Sequence, residues 1–153
     1  MYFQEKIETL KKIFKSSDFK VPFTDATSIL KQIEKHFIIQ KNVETDLNNV
    51  GQYHNQWATN IRQKIELRLG YLHYMQYLEK LDLETNYWVV LAFEAKHQVF
   101  DCKLKAMQSL VLAGKTDFFV IDKKYNWFTY FALDKEGSLY KAYKSGSEKT
   151  PFE

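Results

Sequence analysis

Phe3, Ile7, Leu10 and Phe14 stand four, three and four residues apart, with lysines and glutamates between them. Such spacing returns to the same side of a helix at each turn, which predicts an amphipathic helix over 2–15. The stretch SSDFKVPFTDAT interrupts the pattern. Pro22 restricts itself and the residue before it, and Thr24 and Asp25 are suited to cap a new helix. That second helix is predicted from about Ala26 to Ile39, with Ile29, Ile33 and Phe37 as its buried stripe and Leu30 widening it. Polar QKNVETDLNN then connects to a third helix, in which Val50, Trp57, Ile61, Ile65 and Leu69 keep helical spacing although Gly51 weakens its start. Gly70 marks an end or a bend. Beyond it Tyr71, Tyr74, Met75, Leu78 and Leu81 predict a fourth, short helix, while the alternation within 71–82 also fits a strand.

At Tyr87 the period shortens. YWVVLAF is a compact run of β-branched and aromatic residues, and HQVFDC comes closely enough after it to pair as a hairpin. KLKAMQSLVLAGK returns to helix, with Leu104, Met107, Leu110 and Val111 on one side and Gly114 placed for a left-handed cap. DFFVI and WFTYFAL then flank polar DKKYN, and DKEG separates the second of these from SLYKAY, so three consecutive antiparallel strands are predicted.

The expected fold is α+β. A helical N-terminal half packs on one face of a mainly antiparallel sheet of about five strands, with one helix between strands two and three. No repeat, low-complexity tract or linker divides the chain, and its 153 residues suit a single domain. Residues 1–82 are expected to be mostly helical, 87–143 mostly sheet, and the tail 144–153 loosely held.

Alternation directs Phe118 and Val120 to one face and Phe119 and Ile121 to the other; likewise Trp127, Thr129 and Phe131 oppose Phe128, Tyr130 and Ala132. A strand apolar on both sides is either covered twice or offers one face to a partner. Burial is the favoured reading for most of these rings. The DKKYN turn and the polar ends of Trp127 and Tyr130 are left for contact.

Composition sharpens this picture. Aromatic residues make 16% of the chain, a share that serves thick cores and binding surfaces alike. Net charge is +3, with acids and bases mixed throughout, so no segment supplies the concentrated positive field that nucleic-acid binding uses. The single Cys102 excludes an internal disulfide, which suits a reducing compartment. MYFQEKIETLKKIF is charged throughout where a secretory signal needs an apolar stretch, and no run is long enough to span a membrane. A soluble cytoplasmic protein without membrane or nucleic-acid partners is the expectation.

No motif points to catalysis, a metal or a cofactor. His36, His54, His73 and His97 fall in different predicted elements without the short-spaced ligands of zinc or iron sites. Lys103 beside Cys102 would favour a thiolate, yet no base or oxyanion site accompanies it, and a small buried residue is the simpler reading. The glycines at 51, 70, 114, 137 and 146 stand apart, unlike a phosphate-cradling loop. Glu79, Asp82, Glu84 and Glu94 read as solvated surface. Tyr71, Tyr74 and Tyr77 read first as helix-to-sheet packing and second as a partner face.

NYWVVLAF, VFDCKLKAMQSLV and DFFVIDKKYNWFTYF together resemble a loose group of small uncharacterised bacterial proteins. That group is similar in build to the immunity proteins of contact-dependent and polymorphic toxin systems, including the family founded on yeast cell-wall regulators. The likeness spans about Asn86 to Phe131 and is most specific over Ile121, Asp122, Lys123, Lys124, Tyr125, Asn126 and Trp127. Many of those proteins continue with a histidine-containing turn where this chain has FALDKEG, so no role of that turn carries over. The resemblance implies a non-catalytic cytoplasmic protein that neutralises one toxin-like partner, and the mildly basic charge suits an acidic one.

The first functional expectation is therefore a protein-binding module whose contact zone comprises Asp122, Lys123, Lys124, Tyr125, Trp127 and Tyr130. A second is a small-ligand-binding protein or enzyme with a pocket between helices and sheet, in which His97, Asp101 and Tyr130 converge. A third is a homodimer that hides excess aromatic surface in a two-fold interface.

Overall fold

The computed structural model describes residues 3–21, 26–39, 57–68, 73–93 and 96–153. Pro22, Thr24, Asp25, the 40–49 connection, Val50, Gly51, His54, Leu69, Gly70, Tyr71 and Glu94 lie outside them.

The N-terminal periodicity folds as read: α1 spans Phe3–Ile13 and buries Phe3, Ile7 and Leu10. After the two-residue β1 (Phe19–Lys20), α2 spans Ala26–Phe37 and buries Ile33 and Phe37. The third predicted helix does not continue. Residues 57–59 are helical, Gln63 takes a left-handed φ of 46°, and Ile65–Glu66 form the short strand β2. Ile65, counted into the helical stripe, is 54% exposed, so its spacing reflected no buried face. Helix wins over strand after Gly70, as the single-turn α3 (Tyr74–Leu78), whose start is capped by the His73 side chain.

The second half keeps its expected order: β3 (Tyr87–Phe93), β4 (Lys96–Cys102), α4 (Leu104–Gly114), β5 (Phe118–Asp122), β6 (Trp127–Leu133) and β7 (Leu139–Gly146). At the end of α4 the left-handed cap is Lys115, at φ 49°, and not Gly114. Gly114 serves close packing instead, since a Cβ there would lie 3.1 Å from Leu91 Cδ1.

These strands form one antiparallel sheet of seven, ordered β1-β4-β3-β5-β6-β7-β2. The expected five are the long ones; β1 and β2, too short to register as hydrophobic runs, close the two edges. The helices are also not confined to one face. On one side α1, α3 and α4 cover Val89, Leu91, Phe118, Val120 and Phe131. On the other, α2 with Ile38, Trp57 and Ile61 covers Val90, Phe119, Ile121, Phe128 and Tyr130. This is what a central strand apolar on both sides requires. Phe118 stacks on Phe131 and Phe119 on Tyr130, each pair with centroids 4.8 Å apart, on opposite faces of the same strand pair. Burying each such ring stabilises the fold by about 1.5–3 kcal/mol.

Within the tail expected to be loose, Ser145, Thr150 and Phe152 are buried while 146–149 are exposed. Phe152 is buried against Trp127 and Phe131, and Lys144 pairs with Glu153. No helix among the described residues is long and apolar enough to cross a membrane.

Candidate functional site

The β5–β6 turn is held by its own first residue. Asp122 Oδ1 accepts from Lys124 N and Oδ2 from Asn126 N, both at 3.3 Å, while Tyr125 N donates to Asp122 O at 2.9 Å. Asp and Asn suit such a turn because short polar side chains bond the nearby backbone. Closing it puts Tyr125 at φ 57°, a left-handed conformation that costs a residue with a Cβ about 1–2 kcal/mol. Packing opposes that cost: the Tyr125 ring stacks on His36 of α2 at 5.2 Å and 14°.

From this stack a chain of contacts runs across the end of the sheet. Burial raises the Tyr125 hydroxyl pKa, with the nearby Trp88 side chain opposing. Lys123 Nζ lies 4.4 Å from the centre of the Trp88 ring and 2.6 Å from Asp101 Oδ2. Asn86 Nδ2 donates to the other Asp101 oxygen at 2.9 Å, tying β3 to β4 beside Lys123. On the same face of the sheet, Lys64 Nζ sits 4.2 Å from the centre of the Tyr143 ring. Trp88, Tyr125 and Tyr143 are half-buried, and each has a cation or a histidine against it.

A groove of about 410 Å³ adjoins this surface, lined by His36, Ile39, Arg62, Gln63, Ser145, Gly146 and Ser147. His36 belongs to both the groove and the Tyr125 stack, so turn and groove are one continuous surface. Gly146 lets them meet: at φ 122° it opposes Trp127, and a Cβ would fall 2.4 Å from Asn126 O.

The six residues expected to form the contact zone therefore divide. Lys123, Lys124 and Tyr125 gather on the turn with water-facing sides, and Asp122 is occupied in holding it. Trp127 points to the opposite face, 6% exposed, between Tyr87 and Phe152. Tyr130 is equally buried and gives its hydroxyl hydrogen to Asp117 Oδ2 at 2.7 Å, toward the far end of β5. The Tyr130 hydroxyl is thus taken up by Asp117, and the Trp127 ring packs on the face away from the turn.

The three groups considered for a pocket are not brought together. His97 is buried with its ring 4.4 Å from Trp57 and 5.7 Å from Phe119, and Phe119 also stacks on Tyr130. Asp101 lies four residues farther along β4, about 13 Å at the usual strand rise. Cys102 is fully buried; burial, helped by Asp101 and opposed by Lys123, pushes its thiol pKa well up. Among the described residues no cluster of three or more His, Cys, Asp or Glu side chains is placed to hold a metal ion.

Trp88, His36 and Arg62 are the surface residues that sequence reasoning missed. Trp88 was absorbed into a hydrophobic run and His36 into a helix. Arg62 did carry a signal: it is one of only two arginines in a lysine-rich chain, and arginine is the cation enriched where binding energy concentrates.

No protein-family model, curated protein or solved structure matches this chain.

Proposed function

We propose that the protein is a non-catalytic cytoplasmic binding module of the immunity type, which holds and neutralises one toxin-like protein partner through the surface around the 122–126 turn. The observation that carries this reading is how the aromatic residues are distributed. Most described rings are buried in the two cores, whereas Trp88, Tyr125 and Tyr143 keep a water-facing side on one face, with Lys123, His36 and Lys64 against them. Aromatic rings and cations on a braced surface are the composition of interface anchors, because they bury much area while losing little conformational freedom. The resemblance over Asn86 to Phe131 supports the same reading, and its most specific stretch is this turn.

The test is capture of partners from host cytosol by the tagged chain, run beside a Lys124→Glu, Tyr125→Ala double variant that melts at the same temperature. One stoichiometric protein held by the wild type and lost from the variant is the expected result, and adding the chain should suppress that protein's toxic activity at equimolar ratio. Equal retention by both would remove the surface from consideration. An enzymatic turnover that survives mutation of the turn would remove the binding-module reading itself.

A further inference from the structure

Arg62 is held as few exposed arginines are. Its N–H donates to Phe37 O at 2.7 Å, its carbonyl accepts from Ser145 Oγ at 2.5 Å, and its Nε donates to Ile38 O at 3.1 Å. Ile38 and Ile61 form an isolated antiparallel bridge beside it. One residue is thereby fastened to the end of α2, to the bridge and to β7. Its terminal guanidinium nitrogens have no partner among the described residues, and Arg62 lines the groove with His36, Gln63 and Ser147.

A guanidinium anchored through Nε still presents its two Nη groups as a planar fork, and that fork matches a carboxylate. Fixing the side chain beforehand removes much of the entropy loss on binding. His36 adds a second polar group: its Nδ1 lies 2.8 Å from Gln32 O, and since a carbonyl only accepts, Nδ1 carries the hydrogen and Nε2 remains for another contact.

We infer that this groove is the specificity subsite of the binding surface and takes an Asp or Glu side chain from an acidic segment of the partner protein, with Arg62 as its anchor. The inference rests on the protein-binding reading and adds the partner's chemistry. Charge complementarity favours a protein over a nucleic acid. The cations Arg62, Lys64, Lys123 and Lys124 are interspersed with Asp101, Asp122 and Glu148. Evenly charged phosphates would meet those carboxylates, whereas separate acidic side chains can fit between them.

The test uses the isotope-labelled full chain and three probes: an end-blocked oligoglutamate peptide, an oligolysine peptide and an oligothymidylate. Oligoglutamate should shift the resonances of His36, Arg62, Gln63 and 145–147 saturably, while oligolysine should not. Arg62→Gln should weaken oligoglutamate binding by about tenfold or more, the scale of a lost charge-assisted pair, without rescue by Arg62→Lys, which lacks both Nε and the fork. Lys12→Gln, on the exposed side of α1, should leave it unchanged. Shifts scattered over surface lysines, indifference to Arg62→Gln, or equal binding of oligothymidylate at the groove would overturn the inference. A captured partner that is lost with Tyr125→Ala but kept with Arg62→Gln would also overturn it while leaving the binding reading intact. Conversely, oligoglutamate in the groove with no protein captured would remove the binding reading alone.

Discussion

Tyr130 and Asp117 are joined across β5 and β6 by a 2.7 Å hydrogen bond, and the second oxygen of the same carboxylate accepts from Leu133 N at 2.8 Å. Burial first, and then this bond to an anion, push the Tyr130 hydroxyl pKa far above the ordinary tyrosine range. The folded chain therefore keeps a proton that the unfolded chain gives up near pH 10, so stability falls as pH rises beyond that point. Tyr74 and Tyr87 are shifted the same way, mainly by burial. Melting temperature should hold up to about pH 10 and then drop, and Tyr130→Phe should flatten part of that drop while lowering stability at neutral pH. An unchanged alkaline limb in the variant would show that Tyr130 does not carry it.

Gly146→Ala should be among the most damaging single-methyl additions available. The new Cβ would meet Asn126 O at 2.4 Å and Trp127 Cα at 2.7 Å, backbone atoms that cannot move without parting β6 from β7, and φ 122° is strained for any L side chain. A loss above about 2 kcal/mol in denaturant unfolding is expected. Gly137→Ala is the control: φ is 84° there, but nothing lies within 4 Å, so the cost should stay near about 1 kcal/mol.

Cys102 should resist alkylation in the native protein. It is fully buried, and burial holds its thiol well above the ordinary range, so both access and thiolate are lacking. Iodoacetamide labelling should track global unfolding across a denaturant series. Rapid labelling under native conditions would mean that the α4 end of β4 opens locally.

What was legible in the chain was local. Dense apolar runs gave away β3, β5 and β6, and the double-sided character of Phe118 to Ile121 left two covers or one partner-facing side as alternatives, although the helices were expected on one face alone. Which helices supply each cover was not legible, because a stripe such as Ile33 and Phe37 marks a buried side of α2 without saying which face of the sheet it meets. Ile65 misled for a related reason: spacing alone cannot distinguish a buried position from an exposed one on an edge strand. The turn was recognisable from DKKYN, whereas His36, Arg62 and Trp88 come from separate segments and are joined only by tertiary contact.

Two tryptophans should separate folding from binding. Trp127, one of the residues expected in the contact zone, packs between Tyr87 and Phe152 at 6% exposure, so Trp127→Ala should cost about 3–5 kcal/mol and release the C-terminal residues. Any binding it loses should return under conditions that restore the fold. Trp88 is half-buried and carries Lys123 over its ring, so Trp88→Phe should keep most of the packing while losing part of the cation attraction. Its melting temperature should change little and its partner affinity should fall severalfold. Titrating a captured partner against both variants, with melting curves measured in the same buffer, compares them directly. A stable Trp127→Ala with selectively lost affinity would move the contact surface to the other face of the sheet, among the helices α1, α3 and α4.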